Sequence, residues 1–168
     1  ICIRHLYPEL RGPHNAFTAA PAASTRQGPT MNDRRIDLAA LTLRLTLGTM
    51  FIAHGLLKYV VFTPAGTVKF FESLGLPGPL AYLTIAAEVL RGIALVVGYR
   101  TRVVASALVP VLLGAAWAHA GNGWLFSSPN GGWEYPVFMA FTAIAAALLG
   151  DGRYALRPAE RAPRLATA

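Results

Sequence analysis

The sequence predicts an all-α, polytopic membrane protein: an antiparallel bundle of four transmembrane helices, with a short interfacial helix between spans one and two. Three observations carry that expectation. Of the 168 residues, 54% are hydrophobic and only 14% charged, against roughly 25% charge in an average soluble domain. Too few polar side chains remain to cover a water-soluble globule of this length. Mean hydropathy is +0.45 although the net charge is +7, so long apolar runs must alternate with short basic patches. Four such runs, at 38–62, 80–99, 103–120 and 135–150, each approach the roughly 20 residues that cross the hydrocarbon core.

Residues 1–35 form a basic leader rich in Pro, Ala, Thr and Arg, without helical apolar periodicity, and are expected to be disordered. The leader lacks the continuous apolar region of a secretory signal. Met31 opens the polar run that enters span one and is a candidate natural start, in which case 1–30 would be an upstream extension. Cys2 is the one cysteine, so intramolecular disulfides and cysteine metal clusters are excluded. The spans themselves are dominated by Leu and Ala and show no period-two alternation; in lipid their backbones must satisfy themselves as helices.

After span one, Val68, Phe71 and Leu74 recur at helical spacing opposite Lys69 and Glu72, the pattern of a helix lying in the membrane interface. Pro77, Gly78 and Pro79 then turn the chain back. Pro110 lies inside span three, where a kink is tolerated if a neighbouring helix serves the freed carbonyl. The connection around AGNGWLFSSPNGGWEYP, rich in Gly and Pro and without basic charge, is expected to cap the outer face. Span four is short, and residues 157–168 form a disordered cytoplasmic tail.

Of the 15 basic residues, Arg4, Arg11, Arg26, Arg34 and Arg35 precede span one, Arg100 and Arg102 join spans two and three, and Arg153, Arg157, Arg161 and Arg164 follow span four. Only Lys69 falls on the other side. Because Lys and Arg are retained in the cytoplasm during insertion, both termini are expected there. Trp117, Trp124 and Trp133 gather near the outer interface, as an aromatic belt does. The basic charge thus reports topology, not nucleic-acid binding.

Chemistry belongs where the sequence places ions in lipid, since each costs about 2.5–3.5 kcal/mol near the bilayer centre. Span one carries Arg44, His54 and Lys58, the last two four apart on one face. Span two carries Glu88 and Arg91, three apart; His119 ends span three and Glu134 opens span four. Counting depth at about 1.5 Å per residue, His54, Lys58, Glu88, His119 and Glu134 converge in the outer half, while Arg44 lies near the level of Arg91. Two readings stand side by side. In one, Glu88 neutralises Arg44 or Arg91 and the histidines tie helices together. In the other, the groups form a polar pocket in which Glu88 accepts protons and His54 and Lys58 donate. No ExxH or HExxH spacing supports a metal, and no nucleophile elbow, Walker loop or dinucleotide fingerprint is present.

Residues 36–156 resemble the DoxX family of small four-helix membrane proteins. The resemblance lies in LRLTLGTMFIAHGLLKY from Leu43 to Tyr59, in FFESLGLP, in the glutamate of AEVLRGIAL, in HAGNGW, in GGWEYP and in the closing LLGDGRYAL. Where the family has a glycine pair after that glutamate, Arg91 replaces the first and Gly92 keeps the second. The resemblance implies a bacterial inner-membrane protein, a quinone-associated component of a membrane redox complex. Glu88, His54 and Lys58 would then be catalytic, with Arg44, Arg91, His119, Glu134 and Trp133 as substrate-binding positions. Quinone would be the substrate, no bound cofactor is indicated, and a redox partner subunit would supply electrons. The alternative is a non-enzymatic membrane scaffold or small-solute carrier whose buried polar residues are structural. Homo-oligomers stay open under either reading.

Overall fold

The computed structural model describes residues 30–156; the expectations for 1–29 and 157–168 lie outside the described residues. Five α-helices run in order: α1 (Met31–Val60), α2 (Pro64–Ser73), α3 (Pro79–Val97), α4 (Thr101–Ala118) and α5 (Glu134–Leu149), with a 3-10 turn at Ala120–Asn122 before α5. Among the described residues there is no strand. α1 begins at Met31 because a capping box starts it there. The Thr30 hydroxyl accepts the Asp33 amide at 3.3 Å, and the Asp33 carboxylate accepts the Thr30 amide at 3.1 Å. The cap satisfies two orphan donors and puts a negative charge at the positive helix end. Arg34 and Arg35 ride on the exposed side and do not interrupt the turn.

α1, α3 and α4 are long and apolar enough to cross a membrane; α5, at 16 residues, is a shorter apolar helix. The bundle is a closed ring in which α1 packs chiefly on α3 and α4 on α5, with α1–α5 and α3–α4 completing it. Its core runs from Leu47 and Phe51 through Leu95 and Leu108 to Met139 and Ala143. Leu83, Leu90, Phe138, Phe141 and Leu148 point outward and exposed, which suits lipid and not water.

The α1–α3 seam is antiparallel: Gly48 faces Gly92 and Val96, Gly55 faces Ile85 and Val89, and Lys58 faces Glu88. A Cβ at Gly92 would stand 2.7 Å from the Gly48 carbonyl oxygen and 2.9 Å from the Ile52 amide. Bare backbones therefore touch here, the small-residue packing that holds helices together where lipid removes the hydrophobic drive. Arg91, beside this contact, reaches the other way and donates to the Ala107 carbonyl at 3.3 Å. Pro110 deprives the adjacent Ser106 carbonyl of its usual helical donor, so this tie braces α3 against α4 where α4 is weakest.

At the end of the bundle that holds the α3–α4 turn, residues 150–156 fold back and are stitched to three helices. Asp151 accepts the Thr101 amide at 2.6 Å, Asp37 accepts the Arg153 amide at 3.0 Å, Arg44 donates to the Tyr154 carbonyl at 2.8 Å, and Leu156 donates to the Val97 carbonyl at 2.9 Å. Arg44 and Asp37 are both fully buried under this strap, and Asp151 lies within electrostatic reach of the guanidinium.

Candidate functional site

The opposite end is organised around a cavity of about 430 Å³. α1 contributes Met50, Phe51, His54 and Lys58; α3 contributes Glu88; α4 contributes Val111, Leu112 and Ala115; α5 contributes Tyr135, Pro136 and Met139. His119, Phe126 and the Gly131–Gly132 pair close the side nearest the α4–α5 loop. Most of this wall is apolar, so its few polar groups define what it recognises.

The Lys58 ammonium donates to both oxygens of Glu88, at 2.6 and 2.7 Å. With side chains 23% and 8% exposed, the pair is largely withdrawn from water, where charge-assisted bonds of this length are strong. Helix register explains the partnership: Glu88 lies beside the Gly55 contact between α1 and α3, and the long side chain of Lys58, one turn further along α1, reaches back to it. Glu88 consequently pairs with neither Arg44 nor Arg91. His54, one turn before Lys58 on the same face, donates from Nδ1 to the Met50 carbonyl at 2.9 Å and stacks on Tyr135, ring centroids 5.7 Å apart at 17°. The Tyr135 hydroxyl is buried with no hydrogen-bond partner among the described residues.

The loop between α4 and α5 folds as a cap over this end of the bundle. The Trp133 and Glu134 amides donate to the Gly123 and Trp124 carbonyls, and Glu134 Oε1 accepts the Phe126 amide at 2.8 Å. The Trp124 and Leu125 carbonyls press against Gly132, leaving no room for a Cβ there. Asn122 donates from Nδ2 to the Asn130 and Gly131 carbonyls at 3.1 and 2.9 Å, and the same nitrogen lies 3.3 Å from His119 Nδ1. From the other side, Phe70 of α2 stacks on His119, centroids 6.2 Å apart, while Thr67 ties α2 to the Lys58 carbonyl at 3.3 Å.

Of the five groups expected to converge, His54, Lys58, Glu88 and His119 line the cavity. Glu134 faces an adjoining groove, lined also by Trp124, Val137, Phe138 and Phe141, that shares Phe126 and Tyr135 with the cavity. Trp133 meets Trp124 edge to face at 4.3 Å and lines neither space. Arg44 and Arg91 lie elsewhere, on the strap and on α4. Tyr135 and Asn122 were not singled out by the sequence: a tyrosine beside Glu134 resembles one more member of the aromatic belt, and an asparagine in a glycine-rich loop resembles turn chemistry. Among the described residues no group of three or more His, Cys, Asp or Glu could hold a metal ion.

Fold and site together define a helical membrane protein with a polar-studded apolar cavity between its spans. The chain belongs to the DoxX family. The DoxX family model matches residues 39–121, which include His54, Lys58, Glu88 and His119. Over 126 residues the chain is 32% identical to a Bacillus subtilis (strain 168) protein named "Putative oxidoreductase CatD", an alignment covering 75% of this chain and 90% of that protein. No solved structure matches the chain.

Proposed function

We propose that this protein is the quinone-binding component of a membrane redox complex, with the cavity as its quinone site. The observation that carries this reading is the Lys58–Glu88 ion pair set in the wall of an otherwise apolar cavity, next to two histidines and an unpartnered tyrosine hydroxyl. A quinone ring is apolar but needs hydrogen-bond donors at its carbonyl oxygens, and it takes up protons when reduced. Tyr135 and His119 are suited to donate; Lys58 and Glu88 are suited to hand on protons, since a paired carboxylate and ammonium can exchange one without leaving a lone charge in lipid. The apolar groove beside Tyr135 suits a prenyl tail. Electrons come from a partner subunit. The name of the Bacillus subtilis relative, "Putative oxidoreductase CatD", agrees with this assignment.

The same reading sets the protein in a bacterial inner membrane with four crossings, α5 included, because a short span is accommodated by thinning the bilayer. Both termini are then cytoplasmic. The strap of residues 150–156 faces the cytoplasm, and the cavity opens toward the outer leaflet.

Binding tests the proposal directly. Purified protein in lipid nanodiscs should bind decylubiquinone saturably, read by quenching of tryptophan fluorescence, and Glu88→Gln and His54→Ala should each weaken binding about tenfold. Unchanged binding in both variants, with lowered thermal stability alone, would show these groups to be structural and favour the scaffold or carrier.

A further inference from the structure

The two histidines of the cavity are locked by their neighbours into opposite hydrogen-bonding roles. His54 Nδ1 lies 2.9 Å from the Met50 carbonyl, and a carbonyl oxygen only accepts, so Nδ1 carries the proton. In the neutral ring Nε2 is then a lone-pair acceptor. His119 is the reverse. The two carbonyls bound to Asn122 Nδ2 identify that atom as the amide nitrogen, a donor only. Its approach to His119 Nδ1 at 3.3 Å, with one amide hydrogen shared between that nitrogen and a carbonyl, favours an unprotonated Nδ1 and so a His119 proton on Nε2. Each ring is also held by its face, one on Tyr135 and one on Phe70. Among the described residues neither Nε2 atom has a protein partner. Beside the Tyr135 hydroxyl, the two histidines therefore present one acceptor and one donor.

We infer that the cavity prefers the reduced, hydroxylated ring, a hydroquinone, to the quinone. One ring hydroxyl donates to His54 Nε2, and the second ring oxygen accepts from His119 Nε2–H. A quinone offers two acceptors and no donor, so it serves His119 and the Tyr135 hydroxyl but leaves His54 Nε2 unmatched; unpaired polar groups of this kind are what let a site reject the wrong ligand. The inference rests on the proposed quinone site and adds which redox form that site holds.

The test uses the full chain in nanodiscs at about pH 8, under anaerobic conditions. The probes are a short-tailed hydroquinone, its quinone, and its monomethyl and dimethyl ethers. The expected result is hydroquinone binding about tenfold tighter than quinone. The monomethyl ether, which keeps one donor and one acceptor oxygen, should bind like the hydroquinone, and the dimethyl ether at least tenfold more weakly. His54→Leu should bring the hydroquinone down to the affinity of the quinone, whereas His119→Leu should weaken both forms by a similar factor. The ether series reads the same contact without any variant, should one fail to fold. Equal affinities for the two redox forms, or a His54→Leu protein weakened alike toward both, would overturn the inference while leaving the quinone site standing. Absence of saturable binding by either form would overturn both.

Discussion

Lys58 and Glu88 show how a single pair governs the energetics of the cavity. Each ion has been taken out of water, and their mutual attraction only offsets that cost while both are present. Removing one partner strands the other. Lys58→Met should therefore lower stability by about 3 kcal/mol, measured by SDS denaturation in mixed micelles, while the double variant Lys58→Met/Glu88→Leu should recover most of the loss. A double variant as unstable as the single one would mean that the pair contributes by its shape and not its charge. The sequence marked these residues because ions inside apolar runs are conspicuous, but it left the partnership open. Glu88 has three cations within plausible depth, and the choice among Arg44, Lys58 and Arg91 depends on the rotation of α1 against α3, which Gly48, Gly55 and Gly92 determine. Tyr135 escaped for a different reason: its importance lies in a buried, unmatched hydroxyl, a property of packing that a residue type does not announce.

At the scale of the helices, the close α1–α3 contact positions everything above it. A Cβ at Gly92 would press on backbone atoms of α1, at 2.7 and 2.9 Å, and backbone cannot swing aside as a side chain can. Gly92→Ala should destabilise by about 1–3 kcal/mol and weaken quinone binding by spreading Lys58 from Glu88. Gly114→Ala is the control, since nothing lies within 4 Å of its Cβ position; relief of backbone entropy there should leave stability unchanged or raised by about 0.4–1 kcal/mol. The helices themselves were largely legible. Apolar length and composition identify α1, α3 and α4, and Val68, Phe71 and Leu74 at helical spacing opposite Lys69 and Glu72 identify α2. The start of α1 was not legible, because Thr30 and Asp33 sit in a charged run whose composition resembles the leader, and the cap that joins them is a local geometry with no periodicity to betray it. The strap was likewise hidden: GDGRYAL is too short for a pattern, and its partners Asp37, Arg44, Thr101 and Val97 are far away along the chain.

The whole molecule divides its polar groups between two ends with different work. At one end Arg44, Asp37 and Asp151 hold residues 150–156 against α1, α3 and α4; at the other the ion pair and the histidines surround the cavity. Arg44→Met should consequently reduce stability, by leaving the Tyr154 carbonyl without its donor, yet leave decylubiquinone binding within twofold of the parent protein. A large loss of binding at unchanged stability would couple the two ends. Their separation also makes the proposed topology testable, because the charge asymmetry that orients the chain assigns each end to one side of the membrane. The strap end carries Arg100, Arg102 and Arg153, and the cavity end is capped by a loop without basic residues. With Cys2→Ser as background, a cysteine at Ser128 in that loop should react with a membrane-impermeant maleimide in intact spheroplasts. A cysteine at Tyr99, in the exposed α3–α4 turn, should react only after permeabilisation. Opposite labelling would invert the protein and turn the cavity to the cytoplasm, and labelling of both positions in intact spheroplasts would mean that α4 does not cross, so the bundle would hold fewer than four spans.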